Sequence, residues 1–131
     1  MNEPPQMPYS YALRVLPRAE RDMDRHVAQM AEDAGPGIAL AWYQGLFTVL
    51  ASLSQNPGRC APVNENNYFR KEVRQLLYQR TATSSAWRIL FTIEEDAEDA
   101  PTVGILHVRH GAQRPITRAE ARQIESESPM V

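Results

Sequence analysis

The chain is poor in cysteine, and its N-terminus does not resemble a secretory leader. Cys60 is the only cysteine among 131 residues, so an intrachain disulfide and zinc sites built on several cysteines are excluded. The opening stretch, MNEPPQMPYS, has no basic segment followed by an apolar one, so it does not predict a signal peptide. We expect residues 1–8 to form a disordered lead and the protein to be cytoplasmic.

Long apolar runs and an excess of basic residues are also missing. No run approaches the roughly 18–20 residues needed to span a bilayer, so we expect no membrane association. The net charge of −2 and the sequence pI of about 5.9 argue against a general nucleic-acid binder. The charge is uneven, however. Residues 94–99, EEDAED, hold five of the 16 acidic residues, and arginines predominate on both sides of them, so a local basic surface can still exist.

What the sequence does contain is a succession of periodic segments. Residues 11–17 alternate as a strand does, and Pro17 ends that pattern. Apolar residues at steps of three and four then predict a helix over 18–34, a stop at GPG (35–37) and a second helix over 37–55 that ends at NPG. Three strand candidates follow a loop, and they are residues 73–78, 86–94 and 102–110.

The order of these segments predicts an α+β domain over residues 9–117. A small, mostly antiparallel sheet would carry the helical hairpin on one face, and its other face would be bare and available for function. Residues 117–120, TRAE, have the form of a capping box. They indicate a short helix and a frayed tail within residues 118–131.

The predicted hairpin of residues 73–94 assigns side chains to the two faces of the sheet. A loop around residues 81–85 places Tyr78 beside Arg88 and Arg74 near Thr92. The face that carries Trp87 is nearly all apolar and should lie under the helices. Arg74, Tyr78 and Arg88 would then lie together on the outer face.

The last predicted strand ends in the sequence HVRH. Leu106 and Val108 should face the core, because the alternative would bury Arg109, and an unpaired buried charge is costly. His107 and Arg109 would then share the outer face with Arg88, although a one-residue shift of register reverses this. Because residues three apart on a strand point to opposite faces, His107 and His110 cannot chelate one ion. We expect no metal and no cofactor.

Several stretches carry a resemblance to a known family: the order β-α-α-β-β-β, the opening YALRVLPRAERDMDRHV, the helix end LSQNPG, and the closing WRILFTI and VGILHVRHG. Over residues 9–117 the chain resembles the RelE/ParE family of bacterial toxins. The resemblance implies one half of a type II toxin–antitoxin pair, neutralised by a cognate antitoxin in a hetero-oligomer. RelE-like members cleave mRNA on the ribosome, whereas ParE-like members inhibit DNA gyrase.

The resemblance also suggests residue roles. RelE-like nucleases carry basic residues on the outer sheet face, an arginine just past the last strand and often a later tyrosine. Arg88 and Arg74 match basic positions, but Gly111 stands where the later arginine is expected and no tyrosine follows. These departures favour a non-catalytic, ParE-like gyrase inhibitor.

A metal-independent ribonuclease is the alternative reading of the same residues, and the chain is an enzyme only in that case. His110 and His107 would then transfer protons. A third reading is an inactive relative that only binds protein. In a binding protein, a set of exposed residues on or near the outer face would contact the target. Otherwise these residues would be solvated or would contact the antitoxin. They are Arg74, Tyr78, Arg88, Arg109 and Arg114.

Overall fold

The computed structural model describes residues 10–95 and 100–128. They form a four-stranded sheet with a helical hairpin on one face and a short helix on the other, in the α+β order that the sequence predicts. The elements are β1 (Ala12–Val15), α1 (Pro17–Ala34), α2 (Pro36–Ala51), β2 (Arg74–Gln79), β3 (Ala86–Glu94), β4 (Thr102–His110) and α3 (Arg118–Ser126). The predicted disordered lead lies outside the described residues, as do most of the acidic run and the last residues of the tail.

The helical hairpin turns on a single glycine. Gly35 has a φ of 97°, a conformation that favours glycine, and it separates α1 from α2. Pro17 and Pro36 occupy the first helical positions, where a missing N–H is not needed. α2 ends at Ala51, earlier than predicted, and passes into short 3₁₀ turns at Ser52–Ser54 and Pro57–Arg59.

Helix α2 is more apolar than the sequence reading recognised. By length and composition, the stretch Pro36–Ser54 meets the requirements for a membrane-crossing helix, because isolated polar residues interrupt the run without lowering its average much. The core helix of a soluble protein meets the same requirements. One side of this stretch is indeed buried in the core of the domain, through Ala39, Trp42, Leu46, Leu50 and Leu53.

The sheet has the order β1-β4-β3-β2. β2, β3 and β4 form an antiparallel meander, as expected, whereas β1 pairs in parallel with the first half of β4. β4 is therefore an inner strand, although it is the last to be made. The first core cluster lies between the sheet and the hairpin, and it includes Met23, Trp42, Leu46, Ile89, Phe91 and Ile105.

The second sheet face is not bare, and that prediction was wrong. A second apolar cluster lies there, built from the segment before β2, the outer face of the sheet, and α3 with the residue that leads into it. The segment before β2 has no regular period, so sequence periodicity could not reveal it, and the predicted short C-terminal helix was not assigned to this face. The buried residues of this cluster are Leu16, Val63, Phe69, Val73, Leu90, Leu106, Ile116, Ala121 and Ile124.

The register of the first hairpin differs from the prediction by one residue. Tyr78 lies opposite Trp87, and Leu77 lies opposite Arg88. Tyr78 therefore belongs to the helix face and not to the outer face, because the loop that joins the strands spans residues 80–85. A one-residue slip moves every side chain of a strand to the other face.

A bulge in the β3–β4 ladder resolves the register of the last strand. Leu90 pairs with His107 and Phe91 with Ile105, so Leu106 is the extra residue. Leu106 packs in the outer cluster while Val108 packs under the helices, and both are buried. The prediction that these two residues share one face was therefore wrong, although His107 and Arg109 do share the outer face with Arg88.

Candidate functional site

Arg88 occupies the centre of the outer face and is held by a carboxylate. It lies opposite Arg109 across the β3–β4 ladder. Its Nη2 and Nη1 atoms donate to the Glu65 Oε1 and Oε2 atoms at 2.8 and 3.0 Å, and its Nε donates to Gln75 Oε1 at 2.7 Å. The Arg88 side chain is only 13% exposed. This arginine is therefore engaged inside the protein, and its expected exposure was wrong.

Glu65 is the residue that sequence reasoning missed. Its carboxylate is buried and also accepts the Ile116 N–H at 2.9 Å. Burial alone would raise the pKa of Glu65, but the hydrogen bonds from Arg88 and Ile116 outweigh burial and lower the pKa to about 2. The residue sits in an aperiodic loop, so no sequence pattern indicated its role.

Arg109 is buried more deeply than Arg88, at 2% exposure. Its Nη2 donates to the Arg114 carbonyl oxygen at 2.8 Å, and its Nη1 donates to Glu120 Oε2 at 3.3 Å. Its Nε has no hydrogen-bond partner among the described residues. The sequence reading kept Arg109 exposed in order to avoid burying its charge. The structure buries it instead and supplies partners from the segment after β4.

His107 is also buried, and it contacts α1. Its Nδ1 donates to Asp22 Oδ2 at 2.7 Å, and the same carboxylate oxygen accepts the Val108 N–H at 3.1 Å. Burial alone would raise the pKa of Asp22, but the hydrogen bond and charge of His107 lower it below its usual range. Asp22 is itself buried, so this carboxylate lies on the side of α1 that contacts the sheet.

A second contact from α1 completes the edge of β4. His26 Nε2 donates to the Val108 carbonyl oxygen at 3.0 Å, and burial lowers the pKa of His26. Asp22 and His26 are four residues apart and therefore lie on one side of the helix. Their side chains satisfy the backbone of β4 beyond the point where β1 ends. The i, i+4 spacing of an acid and a histidine was the one signal available for this contact.

His110 lies on the other side of the sheet from His107. It pairs with Trp87, and the two ring centroids are 5.0 Å apart. Its Nδ1 accepts the Ala112 N–H at 3.0 Å. The two histidines proposed for proton transfer are therefore not brought into one site.

Tyr78 is placed in the core rather than on a binding surface. Its hydroxyl donates to the Trp42 carbonyl oxygen at 2.9 Å, and its ring lies against α2 at Gly45. A Cβ atom at Gly45 would lie 2.2 Å from the Tyr78 hydroxyl, so glycine is required for this approach. The predicted place of Tyr78 among exposed binding residues of the outer face is incompatible with its burial.

The two remaining candidates lie apart from this cluster. Arg74, also assigned to the outer face, lies on the helix face at the start of β2, opposite Phe91. It contacts the carbonyl oxygens of Gly58 and Cys60 and pairs with Glu72 at 2.7 Å. Arg114 is exposed, and its backbone carbonyl is its contact to Arg109.

Gly111 occupies a position that leaves no room for a side chain. Its N–H donates to the Ala86 carbonyl oxygen at 2.8 Å, and a Cβ atom would lie 2.8 Å from that same oxygen. An arginine here would require the backbone to move. The departure from the ribonuclease pattern is thus built into the turn that follows β4.

The chain matches a known family along most of its length, and its fold is similar to that of a solved structure. Residues 13–115 match the family described as the ParE toxin of the type II toxin–antitoxin system parDE. The fold is similar to a solved chain of the chromosomal ParDE TA system from P. aeruginosa, with a TM-score of 0.55 and 18% identity over 78% of this chain and 97% of that chain. No curated protein sequence matches the chain. α3 lies beyond the residues matched by the family.

Proposed function

The chain belongs to the ParE toxin family of type II toxin–antitoxin systems, and we propose that it inhibits DNA gyrase by binding, without cutting nucleic acid. We further propose that it acts in the bacterial cytoplasm and is neutralised there by a cognate antitoxin in a hetero-oligomer. These proposals rest on the family for the class of target and on the chain's own side chains for the absence of nuclease chemistry.

The observation that best supports a non-catalytic function is the hydrogen bonding of Arg88 and Arg109 within the protein. Cleavage of RNA through its 2′-hydroxyl needs cations that can hold the phosphate in the transition state. The Arg109 guanidinium is instead buried and bonded to Glu120 and to the Arg114 carbonyl, and the Arg88 guanidinium, only 13% exposed, is bonded to Glu65. Freeing Arg88 would leave the buried Glu65 carboxylate without its partner, which is costly.

The histidines are not placed for proton transfer either. A ribonuclease needs two proton-transfer groups near one phosphate. His107 is bonded to Asp22 inside the protein, and His110 lies on the opposite face of the sheet against Trp87. These two imidazoles therefore do not lie in one site, and binding is the activity that the geometry supports best.

The decisive experiment compares two activities of the purified protein. We expect inhibition in a gyrase supercoiling assay and no cleavage in a ribosome-dependent mRNA assay. His110→Ala should inhibit supercoiling as the unmodified protein does. Ribosome-dependent cleavage that disappears in His110→Ala would overturn the proposal in favour of the ribonuclease.

Expression in cells tests whether the protein is toxic at all. Production without its antitoxin should arrest growth, and co-production of the antitoxin should restore it. Harmless accumulation of folded protein would instead indicate an inactive relative that serves as a protein-binding module.

A further inference from the structure

The solvent-facing side of helix α2 is apolar. Three of the five large hydrophobic residues that are exposed in the described part of the chain belong to this helix, and they are Ile38, Leu40 and Phe47. Of the apolar window within Pro36–Ser54, only 28% is buried inside the domain. The helix is therefore more apolar than its packing against the sheet requires, and an exposed apolar surface of this kind marks an interaction site.

Residues on this side of α2 follow the spacing of a coiled-coil seam. They succeed one another at alternating steps of three and four: Gly37, Leu40, Gln44, Phe47 and Ala51. All five are exposed, so neither α1 nor the sheet covers them. Steps of three and four, repeated over two heptads, keep side chains in one line along a helix and suit packing against a second helix. We call these five residues the α2 seam.

The α2 seam carries no charge, and neither does the chain on either side of it. Residues 34–58 contain no acidic or basic side chain. In a symmetric dimer the same patch contributes to both sides of the contact, so a charged patch would meet its own charge. A seam without charge avoids that repulsion and gives an oppositely charged partner nothing to recognise. The charge pattern thus favours a second copy of this chain over an acidic or a basic partner.

The order of residues in the α2 seam is compatible with an identical seam. Gln44 is at its middle, and the small residues Gly37 and Ala51 lie seven positions before and after it. If two copies meet antiparallel about an axis through Gln44, the two carboxamides face each other, and each offers both donors and an acceptor. Gly37 of each copy then lies opposite Ala51 of the other, and Leu40 packs beside Phe47. A single polar residue at such a position fixes the register of two helices.

A lipid bilayer is the other apolar partner that such a helix can meet. Helices that lie on a membrane surface carry Lys or Arg beside their apolar face. α2 has neither, and Gln44 would place a carboxamide at the centre of the buried face, where lipid offers it no hydrogen bond. In a pair of α2 helices, by contrast, the carboxamide of the second copy supplies that hydrogen bond.

We propose that two copies of this chain form a symmetric dimer through their α2 seams, packed antiparallel with Gln44 at the axis. Each helix is already folded on its own sheet, so association does not have to order it. A helix of 16 residues is about 24 Å long. The contact is therefore smaller than a standard interface, and the dimer should form in the micromolar range. This inference does not depend on gyrase being the target.

Sedimentation equilibrium of the full chain tests the dimer. The protein should be monomeric at low micromolar concentration and increasingly dimeric at several hundred micromolar. Leu40→Glu puts a carboxylate into each seam and should weaken dimerisation about a hundredfold. Leu77→Glu is the matched control and should dimerise as the unmodified protein does, because Leu77 lies on β2 and is 57% exposed, whereas Leu40 is 56% exposed. Both variants should fold, since the replaced side chains are exposed.

Substitutions at Gln44 test the position of the axis. Gln44→Glu and Gln44→Lys should each weaken dimerisation about tenfold or more, because like charges then meet at the axis. An equimolar mixture of the two variants should form heterodimers at least as well as the unmodified protein dimerises, since each carboxylate then meets an ammonium group. The same sedimentation measurement follows the mixture.

Three outcomes would overturn the proposal. The first is a chain that stays monomeric at several hundred micromolar; if that monomer binds phosphatidylcholine vesicles and Leu40→Glu does not, the seam contacts lipid instead. The second is a dimer that is lost in Leu77→Glu and kept in Leu40→Glu, because it uses another surface. The third is a mixture of the Gln44 variants that remains monomeric. The gyrase supercoiling assay is independent of all three, so the two proposals fail separately.

Discussion

The two faces of the sheet are packed by different means. Beneath the hairpin, aromatic and aliphatic side chains interlock, and the hydroxyl of Tyr78 finds a backbone carbonyl. Beneath α3, mostly aliphatic residues surround the buried Glu65 and Arg109, and the half-buried Arg88 is bound to Glu65. The comparison shows that a charged residue on a strand does not by itself mark a solvated face. Partners supplied by an irregular segment can bury it.

The largest effect should come from breaking the Glu65–Arg88 pair. Glu65→Leu leaves the Arg88 guanidinium, which is only 13% exposed, without its carboxylate and should destabilise the fold by about 3–5 kcal/mol. The double substitution Glu65→Leu with Arg88→Met should recover much of that loss, because no buried charge remains. Urea unfolding measures both. The exposed pair provides the control, since Glu72→Leu should change stability by less than about 1 kcal/mol.

If Glu65→Leu proves as mild as Glu72→Leu, the outer face is open to water in solution. The two faces of the sheet would then not differ in the way described, because the outer face would not bury its charged groups.

The second prediction concerns acid. An unpaired glutamate titrates near pH 4.5, whereas the pKa of Glu65 in the folded protein is about 2. Its stabilisation is fully present above pH 4.5 and is lost as the pH falls to 2, a difference of about 3 kcal/mol at 1.36 kcal/mol per unit. Urea unfolding between pH 6 and pH 2 should show a shallower loss of stability in Glu65→Gln than in the unmodified protein.

Asp22 also has a lowered pKa, and it contributes to acid sensitivity in both proteins, so it does not affect this comparison. Parallel acid profiles for the two proteins would mean that Glu65 titrates normally and is not held by Arg88.

The third prediction tests the hairpin face. Gly45→Ala places a methyl group against the Tyr78 hydroxyl and should destabilise the fold by about 1–3 kcal/mol. Tyr78→Phe removes that hydroxyl together with its hydrogen bond to Trp42, and should cost about 1 kcal/mol. Combined, the two changes should destabilise less than their sum in thermal unfolding, because the methyl then meets no hydroxyl. Strict additivity would argue against the contact.

The smallest effect concerns the cap of α3. The Thr117 hydroxyl accepts the Glu120 N–H at 3.1 Å, and the Glu120 carboxylate accepts the Thr117 N–H at 3.3 Å, which completes the predicted capping box. Thr117→Ala should cost about 1 kcal/mol, and Thr117→Ser should cost less because it keeps the oxygen. Equal stabilities for the two variants, measured in urea, would show that the cap contributes nothing.

The fold could be predicted from the sequence where regular periods exist. β3 and β4 lie at the predicted residues, and both helices lie close to them, because each buries one face against the core. The predicted register of β2 was wrong. Leu76, Leu77 and Tyr78 are consecutive apolar residues, so a register shifted by one residue, with a six-residue loop, still places apolar side chains on the helix face. The bulge at Leu106 was likewise not predicted, because Ile105 and Leu106 are consecutive apolar residues and either could face the core.

The candidate site was less predictable than the fold. Alternation correctly put Arg88, His107 and Arg109 on one face, but it could not say what lies above them. Their partners Glu65 and Asp22 are 23 and 85 residues away along the chain from Arg88 and His107, in a loop and on a helix. Long-range ionic contacts of this kind have no local sequence signature.

The parallel pairing of β1 with β4 has a consequence for how the protein is made. Ala12 aligns with Thr102, and the Asp22–Val108 hydrogen bond joins residues 86 positions apart. An inner strand of the sheet is thus the last strand to leave the ribosome, and the first strand has no partner until then. Contacts of such separation slow folding, whereas the α1–α2 hairpin, which is local, can form early. The sheet therefore remains incomplete until β4 has been translated.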